Sequence, residues 1–214
     1  MGKENTCGNG GCGCSNDAAV SAGETATAKT AKKTIEIEFL YLDLNVCEQC
    51  RGSESNLEEA LSDVSLLLEK TGVTVNLTKT HVESFEQALA LDFISSPTIR
   101  INGRDAAFEV AENHCQSCSR LSGTETYCRV WKFEGEEFST APKSLVIEAV
   151  LREIYGPGET AAKPEVSAAR RAKSHDNLKR FFEGRIKQGE SPAETADAPA
   201  RTAETKSAGG CGCS

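Results

Sequence analysis

Ten cysteines carry most of the chemistry this chain can do: Cys7, Cys12, Cys14, Cys47, Cys50, Cys115, Cys118, Cys128, Cys211 and Cys213. Eight of them fall into close pairs: Cys12-Gly13-Cys14, Cys47-Glu48-Gln49-Cys50, Cys115-Gln116-Ser117-Cys118 and Cys211-Gly212-Cys213. A thiolate is both a nucleophile and a soft metal ligand. Close pairs in a reducing compartment read as redox-active or metal-binding rather than as structural staples. Two uses compete for the internal set. Cys47 and Cys50 form a dithiol, with Cys47 the attacking thiol and Cys50 resolving the mixed disulfide. Cys115, Cys118 and Cys128, with His114, supply a four-ligand N/S set suited to zinc or another thiophilic metal or metalloid. Those three thiols could equally form a relay with the dithiol.

The hexapeptide Gly10-Gly11-Cys12-Gly13-Cys14-Ser15 recurs as Gly209-Gly210-Cys211-Gly212-Cys213-Ser214. Glycine lets the chain curl so that both sulfurs meet one ion. Cys12, Cys14, Cys211 and Cys213 are therefore further candidate ligands, on tethers suited to capturing and handing over a soft ion. Unstructured, incidental tails are the plain alternative.

The elements that must position these thiols lie between residues 34 and 156, where most of the large apolar side chains are found. The run Thr34–Val46 alternates and then becomes nearly continuously apolar, a buried strand. Leu57, Leu61, Val64 and Leu68 predict a helix over about Ser55–Thr71, with Ser55 and Glu58 as a capping box and Gly72 as its stop. Arg51-Gly52-Ser53-Glu54 separates that helix from the dithiol. Val73–Thr80 alternates as a strand, and Ser84 caps a short helix ending near Leu91. Pro97–Gly103 is a strand closed by the Asn102-Gly103 turn signal, and Ala106–Val110 returns antiparallel. Residues 111–139 read as an irregular Cys-rich insert. Thr140-Ala141-Pro142 opens a last helix that Gly156 ends. Beyond a linker at 157–166, residues 167–190 form a basic helix striped by Leu178, Phe181, Phe182 and Ile186. Its simplest use is docking on the acidic core; a membrane surface or another partner is the alternative. Residues 1–33 and 191–214 read as flexible tails.

The order β-α-β-α-β-β-insert-α, with Cys47-x-x-Cys50 after the first strand and Ser96-Pro97-Thr98 before the third, resembles the thioredoxin-like superfamily. Ser95–Gly103 looks like the corresponding glutaredoxin-type segment. The core, including Asn113–Cys118, also resembles an uncharacterised Cys-rich family of bacterial and archaeal thioredoxin-like proteins, which brings no activity with it. The resemblance implies an α/β, thioredoxin-like three-layer fold with a Cys-rich insert before the last core helix. It implies a cis Ser96–Pro97 bond lying against the dithiol, with Pro97 offering backbone groups for substrate pairing. Given that fold, the Ala106–Val110 strand returns toward Cys47 and brings His114, Cys115, Cys118 and Cys128 to the dithiol face.

Charge and composition exclude several classes. The core carries net −11, against +1 for residues 1–33 and +2 for 157–214, so it repels phosphate and argues against nucleic acid. No phosphate-cradling Gly-rich loop follows a strand. No apolar run approaches a transmembrane length. Met1–Cys7 has no apolar signal-like run, which leads to the expectation of a cytoplasmic protein. Together these readings favour a thioredoxin-fold dithiol protein that combines thiol–disulfide exchange with soft metal(loid) binding. Its partners would be a thiol or disulfide, protein or small molecule, and soft ions such as Zn, Cu, Hg or As. No cofactor is demanded. The alternatives are a non-enzymatic binding or delivery protein, and a lyase or reductase of metal(loid) compounds using Cys47 with Asp43 or Glu48 nearby.

Overall fold

The computed structural model describes residues 33–156 and 166–189. Strand β1 (Lys33–Tyr41) pairs parallel with β2 (Val73–His81) and antiparallel with β3 (Thr98–Ile101). Asn102 and Gly103 both take positive φ, 49° and 74°, and turn β3 into the two-residue β4 (Arg104–Asp105). The order across this sheet is β2-β1-β3-β4. The alternation of β1 assigns its faces. Ile35, Ile37 and Phe39 are fully buried in one core with Leu57, Ala60, Val64 and Leu68 of α1 (Glu48–Lys70) and Leu145, Val146, Ala149 and Val150 of α4 (Lys143–Tyr155). Leu40 enters a second core with Leu42, Val82, Phe93 and Ala88 of α2 (Phe85–Ala90). Each such buried Leu, Ile or Phe is worth about 1.5–3 kcal/mol. The result is a mixed α/β architecture with helices packed on both faces of the sheet.

Three expectations change. Helix α1 starts at Glu48, not near Ser55, with Cys47 as its N-cap. Gly52 and Ser53 do not delay it. They are small because the 140–141 segment lies against them: a Cβ on Gly52 would meet Thr140 Cγ2 at 2.6 Å, and Ser53 Oγ accepts from the Ala141 N–H at 2.9 Å. Ser55 lies inside the helix and bonds Glu59, so the Ser55–Glu58 capping box does not form. The return strand is only Arg104–Asp105. Beyond it Asp105 Oδ1 accepts from the Ala107 N–H at 3.0 Å and bends the chain away.

The 111–139 stretch is regular rather than irregular. It holds β5 (Ala111–His114), α3 (Gln116–Ser122), β6 (Tyr127–Phe133) and β7 (Glu136–Phe138), paired as a second antiparallel sheet β5-β6-β7. Gly123, with φ 66°, ends α3 in the left-handed conformation that glycine permits. Strand β6 is buried from Cys128 to Trp131. Arg129 is fully buried and forms a two-bond fork to Asp105, at 2.9 and 2.7 Å, while its guanidinium lies over the Trp131 ring. That pair fastens the insert to the main sheet.

Helix α5 (Ala168–Lys187) lies across the second core. Leu178, Phe181 and Phe182 are buried there, whereas Ile186, expected on the same stripe, is 57% exposed. Arg171 pairs with Asp92, and Arg170 with Glu112 at 3.4 Å. Asn177 is 3% exposed; it accepts from the Tyr127 N–H at 2.9 Å and donates to the Tyr127 carbonyl at 2.8 Å. The docking of α5 is therefore mainly apolar, with one amide that locks it to β6 beside Cys128.

Candidate metal centre

Local chain geometry presents each sulfur. The Asp43 carboxylate accepts the Val46 N–H at 2.6 Å, shaping the turn that delivers Cys47 to the start of α1. The Arg51 N–H bonds the Cys47 carbonyl at 3.1 Å, so Cys47 and Cys50 stand one helical turn apart. The second Cys-x-x-Cys is built alike. Cys115 is the N-cap of α3, and the Ser119 N–H bonds its carbonyl at 2.9 Å. Cys128 follows on β6, where Asn113 of β5 is its partner.

These three units converge. The Sγ atoms of Cys47, Cys115, Cys118 and Cys128 all lie within 4.8 Å of one another, and all four residues are buried. Cys118 and Cys128 are 3.4 Å apart. Leu178, Phe181 and Phe182 share their core, so α5 helps keep water from the sulfurs. The cover is thin elsewhere: Asn45, Val46, Glu48, Asn113, His114 and Gln116 are exposed around the buried ligands. No disulfide joins the five described cysteines.

The donor set fits one soft ion. Zinc–thiolate bonds of about 2.3 Å in a tetrahedron set the sulfurs about 3.8 Å apart, close to the spacing here. Four thiolates select zinc or a similarly thiophilic centre over magnesium or calcium. The four residues could therefore hold a metal. The electrostatics of the metal-free group point the same way. Hydrogen bonds from Cys115, Cys118, Cys128 and Cys50 hold the Cys47 thiol far below the ordinary range, while burial opposes them. Cys115 is lowered by Cys118 and Cys128. Cys118 and Cys128 are both pushed up, each first by Cys115. The thiols thus drive one another's pKa values apart, because adjacent uncompensated thiolates repel. A cation held among them would relieve that repulsion. The N-terminus of α1 adds a smaller share.

The expected site residues sort as follows. Cys115, Cys118 and Cys128 come together, and the fourth member is Cys47. His114 is exposed; its Nε2 lies 3.1 Å from Ser119 Oγ and its ring packs edge-on to Tyr127. His114 ends β5 just before the Cys115 N-cap and is not part of the group of four sulfurs. Cys47, expected as the attacking thiol of its pair, is fully buried, as is Cys50. Cys50 stays off the four-sulfur group, beside Cys47, with its Sγ 3.4 Å from Ser96 Oγ and its own pKa pushed well up by Cys47 and by burial. The Ser96–Pro97 bond is cis. Pro97 was expected to offer backbone groups for substrate pairing; beside it the Ser96 carbonyl accepts the Arg129 N–H at 2.7 Å, so β6 occupies that position. Asp43 is engaged in its turn, and Glu48 is exposed. Cys12, Cys14, Cys211 and Cys213 lie outside the described residues. Sequence reading missed Cys47 as a member of the four-sulfur group and Asn177 as the lock on α5. The strand directions carried the signal for the first, since they already brought Cys115 to the Cys47 end of the sheet.

No helix among the described residues is long and apolar enough to cross a membrane. No curated protein and no solved structure matches the chain. Residues 35–150 match the family described as Domain of unknown function (DUF2703), and the chain belongs to that family.

Proposed function

We propose that this chain is a thiol-based soft-metal protein whose core binds one thiophilic ion, zinc by preference, through Cys47, Cys115, Cys118 and Cys128. The observation that carries this is the meeting of four buried sulfurs at the spacing of one tetrahedral ion. The Cys12-Gly13-Cys14 and Cys211-Gly212-Cys213 cassettes would then serve as two-thiol ligands that pass ions to or from the closed core site. Ligand exchange of this kind gives a buried four-coordinate centre a route to its metal that free diffusion of the ion does not.

A second reading is thiol–disulfide exchange at Cys47 and Cys50 on a thioredoxin-like frame. The cis Ser96–Pro97 bond beside Cys50 and the sheet order β2-β1-β3-β4 support it. The burial of Cys47 and the occupied Ser96 carbonyl weigh against exchange with large substrates. A metal(loid) lyase role for Cys47 has less support, because Asp43 is committed to its turn.

The test is native mass spectrometry of anaerobically purified protein. It uses a full-length chain in which Cys7, Cys12, Cys14, Cys211 and Cys213 are serine. About one zinc per chain, lost on Cys128→Ser, is expected. Zinc bound equally well after Cys128→Ser would remove the core site from the account.

A further inference from the structure

Cys47 has two sets of neighbours. It is one corner of the four-sulfur group, and it stands one helical turn from Cys50, the one described cysteine outside that group. Cys47 is the N-cap of α1 and Cys50 lies in its first turn. Helical rise and radius put Cα atoms three residues apart at about 5 Å, inside the window of about 4.4–6.8 Å that a disulfide spans. A Cys47–Cys50 bond therefore needs side-chain rotation within a turn that is already formed. Both thiols sit in the same dry core, so no new burial opposes their approach.

Resting on the metal reading above, we infer that Cys47 is a redox gate: its sulfur either completes the metal site or bonds to Cys50, and it cannot do both. With an ion bound, four thiols are ligands and Cys50 is the remaining free thiol of the core. Ser96 Oγ holds it beside α1 rather than within the ligand set. The oxidant is a low-molecular-weight disulfide, RSSR. The Cys47 thiolate attacks one sulfur of RSSR, forming Cys47–S–S–R and expelling RS⁻. Cys50 gives its proton to that thiolate and attacks the Cys47 sulfur, expelling a second RS⁻ that takes a proton from water. Two cysteine sulfurs are oxidised, RSSR is reduced to two thiols, and the ion keeps its oxidation state. Cys115, Cys118 and Cys128 remain, three ligands and an open position, which ends the closed coordination that retains a structural ion. Reduction by a dithiol reverses the sequence and restores the fourth ligand.

The geometry favours this pair over the others. Oxidation within Cys115, Cys118 and Cys128 removes two ligands at once and breaks two metal–sulfur bonds. Oxidation of Cys47 with Cys50 costs one. The exposed residues on either side of Cys47 leave its sulfur just beneath the surface, so a small disulfide needs only a local opening of residues 45–48 to reach it.

The test uses the same full-length chain with its five terminal cysteines replaced by serine, loaded with zinc. Oxidised glutathione is added, and zinc release to a chromogenic chelator is followed while disulfides are mapped by peptide mass spectrometry. Release is expected to coincide with a Cys47–Cys50 disulfide. Repeated with reduced glutathione in excess, Cys50→Ser and Cys50→Ala should load zinc as the parent does but release it at least roughly tenfold more slowly, since a mixed disulfide at Cys47 that no thiol resolves is cleaved back by the excess thiol. Release at the parent rate in both variants, or a mapped disulfide within Cys115, Cys118 and Cys128, would overturn the gate while leaving the metal site intact. Failure of the parent to load zinc would instead strike the metal reading, and the gate with it.

Discussion

Gly184 sits within α5, where alanine would ordinarily strengthen a helix by about 0.8–1 kcal/mol. Here the sign should reverse. A Cβ built on Gly184 would sit well inside 3.0 Å of the Ser122 carbonyl oxygen, 3.1 Å from its carbon and 3.0 Å from Thr124 Cγ2. The obstacle is backbone at the end of α3, so no rotamer change relieves it. Restoring ordinary contact needs α5 to retreat by about 1 Å, which loosens Leu178, Phe181, Phe182 and the Asn177 lock together. Overpacking of this kind costs about 1–3 kcal/mol. A backbone clash belongs at the upper end, leaving a net loss of about 2 kcal/mol after the helix gain. For a chain of this size that lowers Tm by about 4–8 °C. Gly184→Ala should also speed the reaction of the core thiols with Ellman's reagent, because α5 shields the sulfurs. The assay is thermal unfolding alongside thiol titration, with the terminal cysteines replaced by serine. A Tm that rises, with unchanged thiol reactivity, would refute the close α3–α5 contact and the shielding drawn from it.

Two further outcomes follow from the buried and titrating groups. Asp105→Asn strands the fully buried Arg129 charge and should cost about 3–5 kcal/mol, whereas Arg129→Met removes that charge and should cost clearly less; urea unfolding of both variants checks the ordering. Burial pushes the His175 imidazole below its ordinary value of 6.5, helped by Arg171 and opposed by Asp92. Its Nε2 has no hydrogen-bond partner among the described residues. The unfolded chain therefore binds this proton more readily than the folded one. The associated stability is present above about pH 6.5 and falls as pH drops below it. His175→Asn should flatten that part of the Tm–pH curve, and an unchanged slope would assign it to other groups.

Elements defined by local signals were legible from sequence. The alternation in β1 and β2, the Ser84 cap of α2, the Asn102-Gly103 turn and the Pro142 entry to α4 each depend on residues within a few positions. The start of α1 was not, because Gly52 and Ser53 look like breakers until the 140–141 segment is seen against them. The insert read as irregular because β5, Ala-Glu-Asn-His, has no apolar alternation; its pairing with β6 is what makes it a strand. The ligand set was half legible. Spacing marks Cys115, Cys118 and Cys128 as a group, but adjacency in the chain favoured His114 for the fourth place. Proximity in space favours Cys47, sixty-eight residues before Cys115 in the chain. The dithiol reading bound Cys47 to Cys50 and hid its second partnership.

The most direct test of the central claim is cobalt(II) substitution of the core site, again with the terminal cysteines replaced by serine. Four thiolates around cobalt give an intense near-ultraviolet charge-transfer band that scales with the number of sulfur ligands. Cys47→Ser should lower that band by about a quarter and weaken binding, while His114→Ala and Cys50→Ser leave it unchanged. A band untouched by Cys47→Ser but reduced or shifted by His114→Ala would show that Cys47 does not complete the site.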